Sequence, residues 1–341
     1  MYENIKITSI LIDITKACNM ECTHCYKSSF DGCDYMDIDK INNIINEIRE
    51  YELKNVALTG GEPLMHPDFG EILEIVKANS EIEFELTTNG LLLTQEIIEE
   101  VEKIPNIIIQ ISIDGAMPAT YEAQRGKGSF EDFKKGFDLL ASSSVSKRAR
   151  TAVSKLNYRE IDQIYKMCAD NNFTPSFIFV ANFGNAEKNW ENLKLNNIQK
   201  MSILNKITNL NKKYNLNASV STPASSCSFS HYKERESVLI ESNGSVIYCQ
   251  WLFKWSIGNI FDTKIADIFR GEKLNELYGI SNKRYDDLNN NPMCVNCDIR
   301  SQCDLGCPGM ALENGNIYGL DGECELRKTI ASITSIKEGT T

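Results

Sequence analysis

The chain has 341 residues with a formal net charge of −11, and 42% of the residues are hydrophobic. This length predicts one barrel of roughly 200 residues plus a smaller module. The acidic balance argues against a nucleic-acid partner. The sequence also lacks a signal peptide and any apolar run of about 20 residues, so a membrane-spanning protein is not expected. The one basic cluster is interpreted as a solvated edge; it comprises Lys147, Arg148, Arg150 and Lys155.

From Ile5 to about Phe179, short apolar runs alternate with amphipathic helices. Six strands are predicted, at Lys6–Asp13, Asn55–Leu58, Glu83–Leu86, Ile107–Ile113, Arg150–Lys155 and Ser176–Val180. The intervening helices are predicted at Ile38–Ile48, Asp68–Ala78, Gln95–Lys103, Phe130–Ala141 and Tyr158–Ala169, with a helical linker at Asn197–Tyr214. This alternation is typical of parallel βα units, and nearly continuous apolar strands indicate a sheet buried on both faces.

Three cysteines follow the first strand in the pattern C-x3-C-x2-C: Cys18, Cys22 and Cys25. Three thiolates do not complete a tetrahedral zinc site, which needs four ligands. A [4Fe-4S] cluster also has four ligand positions, so three cysteines leave one iron for a ligand that is not protein. With twelve cysteines and no secretory signal, metal binding in the cytosol is a better explanation than disulfides.

Polar or glycine-rich turns follow the next strands, where parallel βα folds gather their functional residues. They are Thr59-Gly60-Gly61-Glu62-Pro63, Thr87-Thr88-Asn89-Gly90, Ser112-Ile113-Asp114-Gly115 and the turn at Asn157. Each one alone could be an ordinary turn. Four of them on successive strands, with the cysteine triplet after the first, indicate a shared site.

This set resembles the radical S-adenosylmethionine (SAM) superfamily. The resemblance implies a partial (β/α)6 TIM-like barrel over residues 1–215, in which SAM chelates the open iron. It also implies that reductive cleavage of SAM gives a 5'-deoxyadenosyl radical, which abstracts hydrogen from the substrate. The cluster ligands Cys18, Cys22 and Cys25 would then be the catalytic residues. By the same resemblance, SAM contacts are expected from His24 (adenine), Gly60, Gly61 and Glu62 (amino group), Thr87, Asn89, Ser112 and Asp114 (ribose and methionine), and Arg125 (carboxylate).

The last third of the chain is rich in cysteine and lacks the strand–helix alternation of the first two thirds. Two β-rich runs around Asn243-Gly244 predict a hairpin that ends at Cys249. The other cysteines of this part are Cys227, Cys294, Cys297, Cys303, Cys307 and Cys324. A zinc ribbon would use four of these seven and leave three unexplained. The spacing resembles the SPASM extension of radical SAM enzymes, an α+β module with two auxiliary [4Fe-4S] clusters, expected here over residues 216–341.

The resemblance implies a division of these cysteines between two clusters. Cys294, Cys297, Cys303 and Cys324 would hold the distal cluster, and Cys227, Cys249 and Cys307 the proximal one. One proximal iron would then be left to substrate, water or a side chain such as His231. Cys168 lies on the stripe of a core helix and is expected to pack in the core, whereas Cys33 has no assigned role.

The two resemblances together imply an oxidative radical SAM enzyme with SAM and three [4Fe-4S] clusters, located in an anaerobic or protected cytoplasm. The leading expectation for the substrate is a ribosomally synthesised peptide, matured by a thioether or carbon–carbon crosslink. The barrel begins near Met1, so either a separate leader-peptide-binding protein or direct recognition of the peptide is expected, and a flavodoxin or ferredoxin is expected to supply electrons.

Alternatives remain open at this stage. They are haem-type side-chain oxidation, sugar or cyclitol dehydrogenation or epimerisation, and anaerobic sulfatase-type maturation. An iron–sulfur electron carrier without catalytic activity is the alternative of a different class, against which Gly60-Gly61-Glu62 argues.

Overall fold

The protein is organised around one mostly parallel sheet. The computed structural model describes residues 5–27, 34–221, 237–252 and 255–338, with side chains up to 331. Within these ranges the strand order is β10-β9-β8-β1-β2-β3-β4-β5-β6-β7. The strands are β1 (Ser9–Thr15), β2 (Asn55–Gly60), β3 (Glu83–Thr88), β4 (Ile107–Ser112), β5 (Ser146–Val153), β6 (Thr174–Phe179), β7 (Ser219–Ser221), β8 (Ser237–Ile240), β9 (Ser245–Ile247) and β10 (Ser256–Asn259).

The helices of the first two thirds lie between consecutive strands. They are α1 (Ile38–Arg49), α2 (Phe69–Ala78), α3 (Gln95–Val101), α4 (Pro118–Arg125), α5 (Phe130–Ser142), α6 (Ile161–Asp170), α7 (Asn185–Leu193) and α8 (Asn197–Tyr214). The last third contributes α9 (Ile265–Arg270), α10 (Glu272–Asn289), α11 (Pro292–Val295), α12 (Pro308–Glu313) and α13 (Cys324–Glu338).

The strands β1 to β6 pair in parallel and in chain order, which confirms the predicted βα units. Alternate residues on one face, among them Ile10, Leu58, Phe84 and Ile109, are buried in one core with the apolar stripes of the helices. This is a partial TIM-like barrel with helices outside and the other strand face toward the lumen. Cys168 is fully buried in that core, as its position on the stripe of α6 predicts.

The predicted boundaries differ from the observed ones mainly at strand ends. The fifth strand begins at Ser146 rather than Arg150, and it lies between β4 and β6. The basic cluster is therefore not at an edge of the sheet, although Arg150 and Lys155 are exposed. Lys147 Nζ donates to the carbonyl oxygens of Leu140, Ala141 and Ser143. Arg148 pairs with Glu85 at 2.6 Å.

The cysteine-rich module continues the sheet of the barrel. Strand β8 pairs with β1 in parallel, and β9 and β10 follow in antiparallel order, so the predicted hairpin is present. Since Ile12 of β1 pairs with Ile240 of β8, the hairpin starts beside the strand that leads into the Cys18 loop. In the part of the chain that the structure describes, no helix is long and apolar enough to cross a membrane.

Candidate functional site at the carboxyl ends of the strands

The Cys18–Cys25 loop leaves the carboxyl end of β1, as predicted, and its three cysteines are free thiols. Burial raises the pKa of all three. For Cys18 the pKa rises to about 12, and the charges of Glu62, Cys22 and Cys25 add to the effect of burial. These mutual influences indicate that the thiols lie close together. Three free thiols with no fourth cysteine in the loop fit the donor set of a cluster with one open iron.

Three other parts of the barrel hold this loop. Thr23 donates its backbone N–H and its hydroxyl to the carbonyl of Gln124 at the end of α4. Asn185 N donates to the carbonyl of Cys25. Gly61 lies so close to the loop that a Cβ there would come within 2.1 Å of the Ala17 carbonyl oxygen. Position 61 therefore requires glycine because the loop after β2 packs directly against the cysteine loop.

Glu62 is the centre of the loop after β2 and is 1% exposed. Its carboxylate accepts from Thr88 Oγ1 at 2.7 Å, from the backbone N–H of Asn89 at 2.7 Å and from that of Leu64 at 3.2 Å. Burial raises the pKa of Glu62, and these three donors oppose the rise. A carboxylate can accept about four hydrogen bonds, so one position is left for a further donor such as an ammonium group.

Asp114 and Arg125 form a second buried centre, beside the cysteine loop. Asp114 is fully buried and accepts from the backbone N–H of Ala152 and from Arg125 Nε, and its Oδ2 atom lies 3.3 Å from His24 Nε2. A guanidinium N–H of Arg125 also lies 3.9 Å from Cys22 Sγ. Asp114 thus positions Arg125 and His24 rather than facing an open site.

His24 lies in this centre as a neutral ring. Burial lowers the pKa of His24 to about 4, although Asp114 opposes the change. Its Nδ1 atom is buried and has no partner among the described residues. A ring nitrogen within the cysteine loop that has no hydrogen-bond partner among the described residues fits the expected contact with a nucleobase, which remains a prediction.

The remaining predicted contacts are distributed along the same mouth of the barrel. Asn89 Nδ2 donates to Asn19 Oδ1 in the cysteine loop at 2.7 Å, so the loop after β3 is tied to the cluster loop. Thr87 Oγ1 accepts from Gln110 within the lumen. Ser112 ends β4 and pairs in register with Arg150 of β5. The structure therefore brings these residues to one end of the sheet, while their individual contacts with SAM stay predictions.

Sequence reasoning missed several residues of this site. Gln124 is fully buried and donates to Ala152 O while it accepts from Ser154 Oγ, which fixes the end of α4. Asp13, on β1, is 3% exposed and pairs with Lys27 at 2.6 Å, directly after the cysteine loop. An aspartate at the end of an otherwise apolar strand was the signal that could have identified Asp13.

Four cysteines of the last third line one cavity of about 60 Å³: Cys294, Cys297, Cys303 and Cys324. Arg300 and Arg327 line it too, and both are near enough to the thiols to influence them electrostatically. These are the four residues that the resemblance assigned to the distal cluster. Four free thiols around a single cavity fit the four-cysteine ligand set of a [4Fe-4S] cluster.

Two of the three proximal cysteines are described, and the segments that follow them pack together. Cys249 precedes a short 3-10 turn at Gln250–Leu252, and Cys307 precedes α12. A Cβ on Gly309 of α12 would lie 2.4 Å from the carbonyl oxygen of Trp251. Both cysteines are buried. Cys227, His231 and Cys33 lie outside the described residues, so the three-cysteine assignment remains a prediction.

Among the described residues, no three His, Cys, Asp or Glu side chains are close enough to share a single metal ion. A tetrahedral zinc ion binds four ligands directly, at about 2.3 Å from each sulfur. A [4Fe-4S] cluster takes one thiolate on each of its irons, so its ligands stand farther apart.

Comparisons with known proteins agree with this geometry. Residues 12–168 match the family model described as the radical SAM superfamily, and residues 227–298 match the SPASM iron–sulfur cluster-binding domain. An AdoMet-dependent heme synthase from Methanosarcina barkeri is 31% identical over 161 residues, 46% of this chain and 46% of that protein. The mycofactocin maturase MftC of Mycolicibacterium smegmatis is 26% identical over 183 residues, 53% of this chain and 46% of that protein. The matched part of the chain thus spans about half the length of these relatives.

Solved structures agree on the fold along almost the whole chain. Streptococcus suis SuiB, in a crystal structure with its precursor peptide SuiA, has a TM-score of 0.75 at 16% identity and covers 94% of this chain and 76% of its own. The anSMEcpe structure with bound AdoMet has a TM-score of 0.74 at 19% identity and covers 98% of this chain and 96% of its own. With both family models matched in sequence, the chain is a radical SAM protein with a C-terminal SPASM domain.

Proposed function

We propose that the chain is a radical SAM enzyme that oxidises a ribosomally synthesised peptide, introducing a thioether or carbon–carbon crosslink. The observation that carries the proposal is the three-thiol loop held between two buried polar centres, Glu62 and Asp114–Arg125. When bound, SAM and its cluster supply hydrogen-atom abstraction through a 5'-deoxyadenosyl radical.

The residues of the chain bind, orient and shield these groups. Cys18, Cys22 and Cys25 would hold three irons of the cluster, and Glu62 would accept from the ammonium group of SAM through its remaining acceptor position. Arg125, fixed by Asp114, places a positive charge beside Cys22, which favours the thiolate that binds iron. The buried surroundings keep water away from a reactive radical.

A peptide substrate is supported by the relatives. The MftC proteins are maturases by name, and SuiB binds a precursor peptide in its crystal structure. The SPASM cysteines would hold the two auxiliary clusters, which suit a reaction that removes electrons from the substrate. The partners we propose are a flavodoxin or ferredoxin as electron donor, with a separate leader-binding protein in the cytoplasm.

A second candidate is side-chain oxidation of a small molecule of the haem type. The observation that favours it is the 31% identity to the AdoMet-dependent heme synthase over 161 residues. The two candidates share the SAM site and differ only in the group that enters the lumen.

The test uses anaerobically reconstituted protein with SAM and dithionite. Wild type should form 5'-deoxyadenosine, and Cys22→Ser should form none, whereas Cys168→Ser, altered only in the core, should retain the activity. Peptides encoded by short reading frames beside the gene are then added, and mass spectrometry should detect the loss of two hydrogens. Wild-type protein with intact clusters that forms no 5'-deoxyadenosine would contradict the proposal.

A further inference from the structure

Asp13 is a buried carboxylate on the lumen face of the barrel. Its neighbours in β1, Ile12 and Ile14, are fully buried in the core beneath the helices, so the side chain of Asp13 points to the other face of the sheet. Asp13 pairs in register with Thr59 of β2, directly before the turn at Gly60-Gly61-Glu62. The carboxylate therefore lies at the end of the lumen that holds the candidate site.

One oxygen of Asp13 has a partner and the other has none. Its Oδ2 atom accepts from Lys27 Nζ at 2.6 Å. Its Oδ1 atom is buried without a hydrogen-bond partner among the described residues, in a side chain that belongs to a residue only 3% exposed. Buried polar atoms are normally hydrogen-bonded, so Oδ1 indicates a position for a donor that the described part of the chain does not supply.

A second carboxylate, that of Glu241, lies beside Asp13. Glu241 directly follows β8, and the pairing of Ile240 with Ile12 places Glu241 on the same face of the sheet as Asp13. Glu241 is half-buried and forms no ion pair with any residue that the structure describes. Burial raises the pKa of Glu241, and the charge of Asp13 adds to the rise while Lys27 and Lys16 oppose it. The two carboxylates are therefore close enough to repel each other.

The positive charges nearby do not balance these two carboxylates. Lys27 is bound to Asp13, and Lys16 pairs with Asp34 at 3.1 Å. The described part of the chain thus leaves one carboxylate charge in excess at this place, next to the partnerless oxygen of Asp13. Such a pair of groups suits a ligand that carries both a positive charge and N–H donors, because a charge-assisted hydrogen bond would satisfy the oxygen and neutralise the excess.

We propose that Asp13 and Glu241 bind a cationic side chain of the peptide substrate, the ammonium of a lysine or the guanidinium of an arginine. The ammonium group of SAM has a separate acceptor in Glu62, so this acidic pair is free for the substrate. The inference rests on the proposed function, because it assumes that a peptide enters the lumen.

The test measures the binding of four tripeptides to anaerobically reconstituted protein, with and without SAM and without any reductant. Acetyl-Gly-Lys-Gly-amide and acetyl-Gly-Arg-Gly-amide carry the charge, and their counterparts with norleucine and citrulline have a similar shape without it. Saturation-transfer NMR at millimolar peptide gives the Kd of each. At least one charged peptide should bind about tenfold more tightly than its neutral counterpart, the effect of a single charge-assisted contact.

Variants show whether the preference for charge comes from this acidic pair. Glu241→Gln and Asp13→Asn keep the shape of the side chain and remove its charge, and each should lose most of the tenfold preference. Glu241→Lys supplies a cation from the chain itself and should abolish the preference. Glu71→Gln, an exposed change on α2, is the matched control and should leave it unchanged. An iron content of about twelve per chain shows that a variant has kept its clusters, and if Asp13→Asn loses iron, the two Glu241 variants decide.

Equal binding of charged and neutral peptides to wild type would overturn the inference, as would a preference that survives in both Glu241 variants. A preference that disappears when SAM binds would assign the acidic pair to SAM and would overturn it too. None of these measurements requires turnover. Protein that prefers a charged peptide yet forms no 5'-deoxyadenosine would therefore contradict the proposed function alone.

Discussion

Asp321 connects the two groups of cysteines in the SPASM domain, and replacing it by asparagine should disrupt both. The side chain is 2% exposed. Its Oδ2 accepts from the backbone N–H of Cys307 at 2.8 Å and from Arg327, and its Oδ1 accepts from the N–H of Glu323, the residue before Cys324. One carboxylate therefore fixes the backbone at both sites.

The loss of stability expected for Asp321→Asn follows from these contacts. Asparagine has one acceptor oxygen and places an NH2 group against a backbone N–H, so at least one hydrogen bond to a charged group is lost, about 1.5–3 kcal/mol. Arg327, whose side chain is 8% exposed, would be left without its carboxylate, and breaking a buried pair in this way costs about 3–5 kcal/mol. Because the two losses overlap, we expect a total of about 3–5 kcal/mol, a large part of the stability of an ordinary domain.

The assay is iron per chain together with thermal unfolding of anaerobically reconstituted protein. Wild type should contain about twelve iron, and Asp321→Asn should lose most of the eight or so auxiliary irons while it keeps about four at the SAM site. Asp298→Asn, an exposed change in the same cysteine loops, is the control. Adding Arg327→Met to Asp321→Asn removes the unpaired charge and should recover part of the lost stability. Full iron content and an unchanged unfolding midpoint in Asp321→Asn would refute this reasoning.

Three further changes test other parts of the molecule. Cys18→Ser should abolish 5'-deoxyadenosine formation yet retain about eight auxiliary irons, as measured by iron analysis and product chromatography. Glu62→Gln should weaken SAM binding by about tenfold or more in equilibrium dialysis, because a charged acceptor for the ammonium is lost, whereas the exposed Glu71→Gln should have no effect. Burial raises the pKa of Cys168 to about 12, so only about one thiol in 10⁴ is ionised at pH 8. Iodoacetamide should therefore label Cys168 only after unfolding. Rapid labelling in the native protein would contradict its place in the core.

The sequence pattern identified the parallel barrel because its signals are local and repeated. Apolar strands followed by amphipathic helices predicted β1 to β6, and the linker helix was placed with its observed bounds, Asn197–Tyr214. Helix α4 (Pro118–Arg125) was missed because its sequence has no apolar stripe. Its two buried residues are Tyr121 and the polar Gln124. That helix is held by polar contacts, which hydrophobic periodicity does not detect.

The structure brings the cysteine loop, Glu62, Asp114 and Arg125 to one end of the sheet, whereas their roles remain predictions. Asp114 and Arg125 are buried against each other. Spacing along the chain cannot indicate which polar residues neutralise one another across the barrel mouth.

The pairing of β8 with β1 joins the cysteine-rich module to the sheet of the barrel. It places the module beside the strand that carries the Cys18 loop, and a chain of close contacts then crosses from one to the other. Gly184 lies against the carbonyls of Cys25 and Tyr26. The rings of the next pair, Phe183 and Trp251, pack with their centroids 5.4 Å apart. The Trp251 backbone in turn lies against Gly309, two residues after Cys307. A module joined only by a flexible linker would not fix these distances. The shared sheet therefore makes the two halves one structural unit, and a change in either half that shifts β1 or β8 should be detected at the iron sites of both.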